Sequence, residues 1–324
     1  MKALLQCCAA LAMILGGGNT ALAQAYPSKP IRIVSPFPAG GGNDVLARIV
    51  AARMSETMGQ TVIVENVTGA SGNIAASQVL RSAPDGYTLL FPNNTIVTTP
   101  AIGTVPFDVL KDFAPVGVVG TTAVVVAVHP DLPVKTIGQL VELLARNPNK
   151  YSFSSCGSGT TMHLAGELLN QAAKVSMVHV PYKGCAPAIT DGVGGHVPIL
   201  FNTYTNVRPH ADQGKLRILA VASRTRSAFA PDIPTIGEGN PALRGVIADI
   251  WSGVLAPAAT PGAVLAKLNT ELNAALQSPD TKKKLEATYT EVRSTTPAEM
   301  NELMREEFAR WTKLVKDVGL VVQQ

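Results

Sequence analysis

Two glycine-rich segments of the 324-residue chain carry residue types that bind anions through the backbone: residues 36–44, with Gly40, Gly41 and Gly42, and residues 155–161. Glycine lets backbone amides approach a ligand closely, and the start of a helix adds unpartnered amides and partial positive charge. We therefore expect two anion sites that fit a small molecule with a carboxylate at each end. Plain turns are the alternative interpretation, which the number of such loops in this chain disfavours.

Further candidate ligand contacts stand in other polar loops and at one helix start. They are Asn73, Asn93, Asn94, Thr95, His163, Lys183 and Asn202. Local alternatives remain open: a local hydrogen bond for His163, an ion pair for Lys183 and a turn cap for Asn202. His163 and Glu167 share a helical face, but zinc needs further ligands, so we predict neither a metal nor a cofactor.

A catalytic interpretation is also open, because Cys156 precedes a helix start and lies near His163 in sequence. A thiolate there could act as a nucleophile. No third orienting residue is evident, and the chain lacks the nucleophile elbow, Walker lysine, dinucleotide and His-Glu-x-x-His motifs. We expect a binding protein, and a Cys/His-dependent hydrolase is the less favoured alternative.

Composition narrows the function classes further. Apolar residues make up 46% of the chain, enough for a large core, and charged residues only 15%. The 27 Lys and Arg residues barely exceed the 23 Asp and Glu residues and form no face-sized cluster. Since nucleic-acid binding needs such a cluster, we exclude it.

The elements that must position these loops alternate along the chain. Short apolar runs such as residues 31–34, 61–65 and 151–154 predict strands, and the apolar spacing of residues 43–58 predicts a helix. This alternation predicts an α/β fold with mostly parallel sheets, in which ligands bind beyond the carboxyl ends of strands. Three C-terminal helices are expected to begin with hydroxyl caps at Thr260, Ser278 and Thr296, each followed by proline.

The first 23 residues have the layout of a secretory signal peptide cleaved after Ala23. The apolar run of about 13 residues is too short for a membrane anchor, which needs about 20. Export would leave Cys156 and Cys185, each just past the end of a predicted strand. We expect these two to form a disulfide, because oxidising compartments favour one.

Motifs along the whole mature chain carry a resemblance to a known family. They stand at residues 26–32, 36–44, 72–76, 84–90, 111–116, 157–167, 178–184, 214–217, 231–235 and 309–311. Examples are Pro-Asp-Gly-Tyr-Thr-Leu-Leu at 84–90 and Val-His-Val-Pro-Tyr-Lys-Gly at 178–184. The chain resembles the Bug-type extracytoplasmic solute receptors of the tripartite tricarboxylate transporter system.

The resemblance implies a type II periplasmic binding protein whose ligand lies between two lobes. Lobe 1 would comprise residues 26–124 and 246–324, and lobe 2 residues 125–245, with a hinge where the chain crosses near 120–128 and 245–250. One end of a carboxylate ligand would meet Phe37, Pro38, Gly40, Gly41 and Asp44, and the other Ser155, Gly157, Gly159, Thr160 and Thr161.

The implied role is delivery of a small carboxylate to the integral-membrane subunits of a tripartite tricarboxylate-type transporter, by a periplasmic monomer. A periplasmic sensor for a signalling partner is the alternative.

Two positions depart from the family pattern. Asn43 stands where members often have Ser or Thr, and Asn202 where many have Asp. The lost negative charge at Asn202 would suit a more anionic ligand, or one without an amino group.

Overall fold

The computed structural model describes residues 26–319. The predicted signal peptide and its cleavage site lie outside these residues. The strands of the described part are β1 (Ile31–Ser35), β2 (Val62–Asn66), β3 (Thr88–Leu90), β4 (Phe113–Thr122), β5 (Val124–Val128), β6 (Ser152–Ser155), β7 (Val178–Pro181), β8 (Ile199–Thr203), β9 (Arg217–Val221), β10 (Ile250–Pro257) and β11 (Glu291–Val292).

Helices alternate with these strands as the sequence predicts. They are α1 (Gly42–Met58), α2 (Asn73–Leu80), α3 (Thr95–Ile102), α4 (Ile137–Arg146), α5 (Thr161–Ala173), α6 (Cys185–Val193), α7 (Tyr204–Asp212), α8 (Ile236–Gly239), α9 (Gly262–Gln277), α10 (Pro279–Glu286) and α11 (Pro297–Val318). Two 3₁₀ turns, Ala70–Gly72 and Pro241–Leu243, complete the regular structure of the described residues.

The strands form two sheets, which define two lobes. The sheet of lobe 1 has the order β11-β4-β10-β3-β1-β2, and the sheet of lobe 2 has the order β7-β6-β8-β5-β9. The chain passes from lobe 1 to lobe 2 between β4 and β5 and returns between β9 and β10. This confirms the two-lobed α/β fold. The assignment of residues 26–124 and 246–324 to lobe 1, and of residues 125–245 to lobe 2, stays a prediction.

Both sheets are mixed. In lobe 1, β1 runs parallel to β2 and β3, but β10 is antiparallel to β3 and β4. In lobe 2, β6 runs parallel to β7 and β8, whereas β5 is antiparallel to β8 and β9. More strand pairs are antiparallel than in the mostly parallel sheets that we expected. The strands that carry the chain between the lobes must run in both directions, and this produces antiparallel pairs.

Helices cover both faces of the lobe 1 sheet, which explains the unbroken apolar runs of its strands. Ile31 and Ile33 pack with α1 and α9 on one face, and Val34 packs with α2 and α11 on the other. Each fully buried aliphatic side chain contributes about 1.5–3 kcal/mol. Helix α11 also reaches lobe 2, where Trp311 and Leu314 join the apolar core.

The predicted hydroxyl caps of the C-terminal helices are confirmed at one position of three. Thr296 caps α11 and forms a capping box with Glu299. The prediction is wrong for Ser278, which also ends α9 and whose side chain accepts no amide. It is also wrong for Thr260, because α9 begins one residue later, after Pro261.

No helix within residues 26–319 combines the length and apolar character needed to cross a membrane.

Candidate functional site

The predicted loops meet at the edges where the two lobes face each other. In lobe 1, β1 and β3 end at this edge and lead into residues 36–41 and 91–94. In lobe 2, β6 and β8 end at the facing edge and lead into α5 and α7. The site is therefore built from loops and helix starts of both lobes.

Asp44 fixes the shape of the first glycine loop. Its carboxylate is 98% buried, accepts hydrogen bonds from the Gly40 amide at 2.8 Å and the Asn66 side chain at 2.7 Å, and pairs with Arg48 at 3.0 Å. Burial alone would raise the pKa of Asp44, but these three partners outweigh it and hold the pKa below its usual range. Asp44 therefore holds the loop from within, and Gly40 has no amide left for a ligand.

Other residues of this loop are tied down in the same way. The Phe37 carbonyl accepts from Asn66 at 2.9 Å, and the Pro38 carbonyl accepts from the Gly41 amide at 3.2 Å. Asn43 donates to the Phe91 carbonyl at 2.9 Å and accepts from Ser252 at 3.0 Å. Asn43 thereby joins the glycine loop to the end of β3 and to β10.

Helix α1 starts directly after this loop without a side-chain cap. Its first amides, those of Gly42, Asn43 and Asp44, have no hydrogen-bond acceptor among residues 26–319. The helix is 17 residues long, so its macrodipole places partial positive charge at these amides. The lobe 1 groups open to an anion are thus the helix amides rather than those of the loop glycines.

Residues 93–95 follow β3 and begin α3. The Asn93 side chain accepts from the amide and hydroxyl of Thr95 at 3.0 and 2.6 Å. The fully buried Asn94 donates to the Asp249 carbonyl at 2.9 Å, which anchors it to the chain segment that returns from lobe 2. Asn73, the first residue of α2, is also buried.

The second glycine loop leads into α5 and has a comparable design. Thr160 caps α5 by accepting from the His163 amide and donates to the Gly157 carbonyl at 2.8 Å. The Gly157 amide donates to Ser155 at 3.2 Å, and the Gly159 amide donates to His163 at 3.1 Å. The Thr161 and Met162 amides have no acceptor in the described part of the chain, so α5 again offers its first turn to an anion.

Direct contacts join the two lobes at this point. The Thr161 hydroxyl donates to the Asn94 side chain at 3.0 Å, and both residues are buried. The Thr98 hydroxyl, on α3, donates to the Gly159 carbonyl at 3.3 Å. Asn94 therefore connects the start of α5 with the loop after β3, which Asn43 joins to the start of α1.

The predicted disulfide between Cys156 and Cys185 is present, with the Cα atoms 4.3 Å apart. It fixes the start of α6 to the second glycine loop, and the Gly184 amide donates to the Cys156 carbonyl at 3.2 Å. With both sulfurs bonded, no thiolate exists at Cys156, which removes the basis of the hydrolase interpretation. Lys183, in the same turn, is exposed.

Asn202 lies at the same sheet edge. The register that pairs Ser154 with Leu200 places Asn202 level with Cys156. Its side-chain oxygen accepts from the Thr203 amide at 2.9 Å and from Asn206 at 3.0 Å. Its side-chain nitrogen is buried without a hydrogen-bond partner among the described residues.

His163 is 97% buried and bonds locally through Nδ1, the alternative left open by the sequence. Its Nε2 lies 3.8 Å from Glu167, and no group of three or more potential metal ligands occurs within residues 26–319. Sequence reasoning missed Asn66 and Arg48, which hold Asp44. Asn66 is distant from Asp44 in sequence, whereas Arg48 lies four residues away on the same helix, a spacing that indicates a contact.

A cavity of about 380 Å³ lies elsewhere, beside the segments that cross between the lobes. Its lining includes Arg224, Asp249, Glu307 and Arg310. The strands next to this cavity, β11 and β9, each lie at an edge of their sheet. Other strands separate them from β1 and β6, which lead into the glycine loops. Burial and the nearby Glu291 and Glu307 carboxylates raise the pKa of Asp249 to about 7. This cavity is in the hinge region and its lining contains no residue of the glycine loops, although Asn94 donates to the carbonyl of Asp249 in its wall.

Solved structures with the same fold define the class of protein. Periplasmic binding protein BugD is 34% identical with a TM-score of 0.79, over 92% of this chain and all of that chain. A protein from R. palustris, Rpa4515 with adipate, is 33% identical with a TM-score of 0.81, over 91% and 99%. MatC from Rhodopseudomonas palustris with bound malate is 29% identical with a TM-score of 0.78, over 90% and 100%. The chain is thus a two-lobed periplasmic binding protein by fold.

Sequence comparisons give the family. The family described as "Tripartite tricarboxylate transporter family receptor" matches residues 46–320. Protein BugT of Bordetella pertussis is 33% identical over 301 residues, 92% of this chain and 91% of that protein. A UPF0065 protein in the tcbD-tcbE intergenic region of Pseudomonas sp. (strain P51) is 36% identical over 316 residues, 97% and 94%. The chain belongs to the tripartite tricarboxylate transporter receptor family, of the Bug type.

Membership confirms the resemblance seen in the sequence. Members are periplasmic solute receptors and not enzymes, in agreement with the missing catalytic motifs.

Proposed function

We propose that this protein is a periplasmic receptor that binds a small dicarboxylate between the starts of α1 and α5. The observation that carries the proposal is the pair of helix starts whose first amides have no acceptor in the described chain, one in each lobe, joined through Asn94. The site thus offers backbone amides at two points, which suits a ligand with a carboxylate at each end.

The physical chemistry supports an anion at both points. Each helix start favours negative charge by about 0.3–1 kcal/mol, and by up to ~2 kcal/mol where the site is partly buried. Each charge-assisted hydrogen bond from an amide adds about 1.5–3 kcal/mol. The unpartnered side-chain nitrogen of Asn202 would add neutral donors without a competing negative charge. Adipate and malate, found with two related proteins, are both dicarboxylates.

We add Gly42, Asn43 and Met162 to the residues predicted from sequence, and together they take two kinds of role in this proposal. The amides of Gly42, Asn43, Asp44, Thr161 and Met162 contact the carboxylates, and Asn202 and Lys183 complete the walls. The other predicted residues shape these groups: Phe37, Pro38, Gly40, Gly41, Asn73, Asn93, Asn94, Thr95, Ser155, Gly157, Gly159, Thr160 and His163.

Binding is coupled to lobe closure in this proposal. The hinge lies where the chain crosses between β4 and β5 and between β9 and β10. A ligand held by both lobes binds the closed form more tightly than the open form and shifts the population toward it. The closed monomer then delivers the ligand to the membrane subunits of a tripartite tricarboxylate-type transporter.

A thermal-shift screen of mono-, di- and tricarboxylates tests the binding step. A ligand at 100 times its Kd raises the free energy of unfolding by about 2.7 kcal/mol, so true ligands raise Tm. We expect dicarboxylates to raise Tm more than monocarboxylates of equal length. Equal shifts with both classes, or none with any carboxylate, would reject the proposal.

Asn202→Asp tests the charge of the site. The new carboxylate would repel a ligand carboxylate, so we expect at least tenfold weaker dicarboxylate binding by calorimetry at pH 7. Gln213→Glu is the control, since Gln213 is exposed and the substitution adds the same charge at the opposite, C-terminal end of α7. Unchanged affinity of the Asn202→Asp protein would remove this residue from the site.

Delivery is tested separately from binding, because a sensor would close in the same way. Proteoliposomes with the membrane subunits of a tripartite tricarboxylate transporter from the same organism should accumulate labelled ligand only when the receptor is added. A receptor that binds but supports no uptake by any such subunits would favour the sensor.

A further inference from the structure

Two imidazoles, the buried His163 and the half-buried His179, lie behind the second glycine loop. The rings of His163, on α5, and His179, on β7, are stacked with centroids 3.7 Å apart and planes inclined by 13°. The ring of Phe153, on β6, stacks against His179 at 4.9 Å. Three elements of lobe 2 thus hold the two histidines in place.

Both imidazoles contact the loop that leads into α5. His163 Nδ1 accepts the Gly159 amide at 3.1 Å. His179 Nε2 lies 2.7 Å from Ser155 Oγ, which in turn accepts the Gly157 amide at 3.2 Å. The loop is therefore held at Gly157 and Gly159, and the amides of these two glycines face the protein interior.

This arrangement requires a neutral His163. An imidazole nitrogen that accepts an N–H bond must keep its lone pair, so the proton of His163 sits on Nε2, near Glu167. Burial lowers the pKa of His163 to about 4, and burial together with repulsion by His163 lowers that of His179 to about 3. Burial also raises the pKa of the facing Glu167 carboxyl.

We propose that His163 and His179 are positioning residues: they hold residues 155–160 in the shape that turns the Thr161 and Met162 amides toward the ligand. The inference rests on the proposed function, and it assigns to the histidines an indirect part in affinity. Their position behind the loop explains why the buried His163 and the half-buried His179 lie beside the binding edge.

His163→Phe and His163→Asn separate this role from simple packing. Phe keeps a stacking ring but has no acceptor for Gly159, whereas Asn keeps an acceptor oxygen on a short side chain. We expect the Phe variant to bind adipate and malate at least tenfold more weakly by calorimetry, and the Asn variant at least fivefold more tightly than the Phe variant. Wild-type affinity of the Phe variant, or equal losses in both, would overturn the proposal.

Hydrogen exchange of the ligand-free protein gives a second readout that does not depend on binding. Peptides covering residues 156–160 should exchange at least tenfold faster in His163→Phe than in the wild type, while peptides from lobe 1 stay unchanged. Ser155→Ala, a smaller change, should release the Gly157 amide in the same way if the Phe variant fails to fold.

Unchanged exchange in both variants would overturn the positioning role. If the variants exchange faster but the wild-type protein binds neither adipate nor malate, the positioning role stands and the dicarboxylate ligand is rejected instead.

Discussion

Gly42→Pro removes one backbone amide from the start of α1 and is a direct test of the binding mechanism. Proline suits this position for two reasons. Gly42 is the first helical residue, where proline is favoured, and the preceding Gly41 has φ −71° and ψ 158°, which a following proline tolerates. A side chain at Gly42 would meet no atom within 4 Å.

The expected loss follows from the missing hydrogen bond. A bond from an amide to a carboxylate contributes about 1.5–3 kcal/mol, which corresponds to about 10- to 150-fold in Kd. Stability should not fall, because proline at a compatible position stabilises by about 0.4–1 kcal/mol. Calorimetry with the best dicarboxylate of the screen should therefore show weaker binding by a protein with an undiminished Tm.

Two further variants make this result interpretable. Gly262→Pro places proline at the first residue of α9, after Pro261 with φ −58° and ψ 139°, and should leave the Kd unchanged. Gly42→Ala keeps the amide and should bind at least fivefold more tightly than Gly42→Pro. The reasoning is refuted if Gly42→Pro binds within twofold of the wild type.

Three other outcomes are expected. Replacing both Cys156 and Cys185 by Ser should lower the free energy of unfolding by about 3–4 kcal/mol, because the bond closes a loop of 29 residues and limits the entropy of the unfolded chain. Urea denaturation measures this loss, and no loss of stability would mean that the bond constrains the unfolded chain little. Thr161→Val leaves the Asn94 oxygen without its buried donor and should lower the free energy of unfolding by about 1–3 kcal/mol. The control Thr270→Val, on an exposed helix face, should lower it by less than about 0.5 kcal/mol. Equal losses would contradict the contact between the lobes. Asp249 has a folded-state pKa of about 7, above its usual 3.8, so its contribution to stability is present at acidic pH and disappears as pH rises through about 7. The stability difference between wild type and Asp249→Asn should change in that direction between pH 4 and 8, and a difference independent of pH would contradict the buried environment assigned to Asp249.

The sequence predicted the positions of the glycine loops in the fold better than the hydrogen bonds within them. The glycine loops could be placed because glycines after short apolar runs mark the ends of strands in an α/β fold. The amides of Gly40, Gly157 and Gly159 were expected to meet the ligand, but Asp44, Ser155 and His163 accept them. Local spacing shows which amides a helix leaves open, but not which of them the folded chain occupies.

Long-range contacts explain the elements that sequence patterns missed. Residues 95–102 are rich in β-branched side chains and contain Pro100, and we predicted no helix there from the sequence. The structure has helix α3, whose Ile96 and Val97 pack in the same apolar cluster as Met300 and Met304 of α11. Tertiary packing overrides weak helix propensity at this position.

A crystal structure with the dicarboxylate that raises Tm most would test the central claim directly. We predict one carboxylate within about 2.7–3.2 Å of amides among residues 42–44 and the other at the same distance from the Thr161 or Met162 amide. A ligand bound in the hinge cavity beside Arg224 and Arg310, or one held only by side chains at the cleft, would contradict the claim.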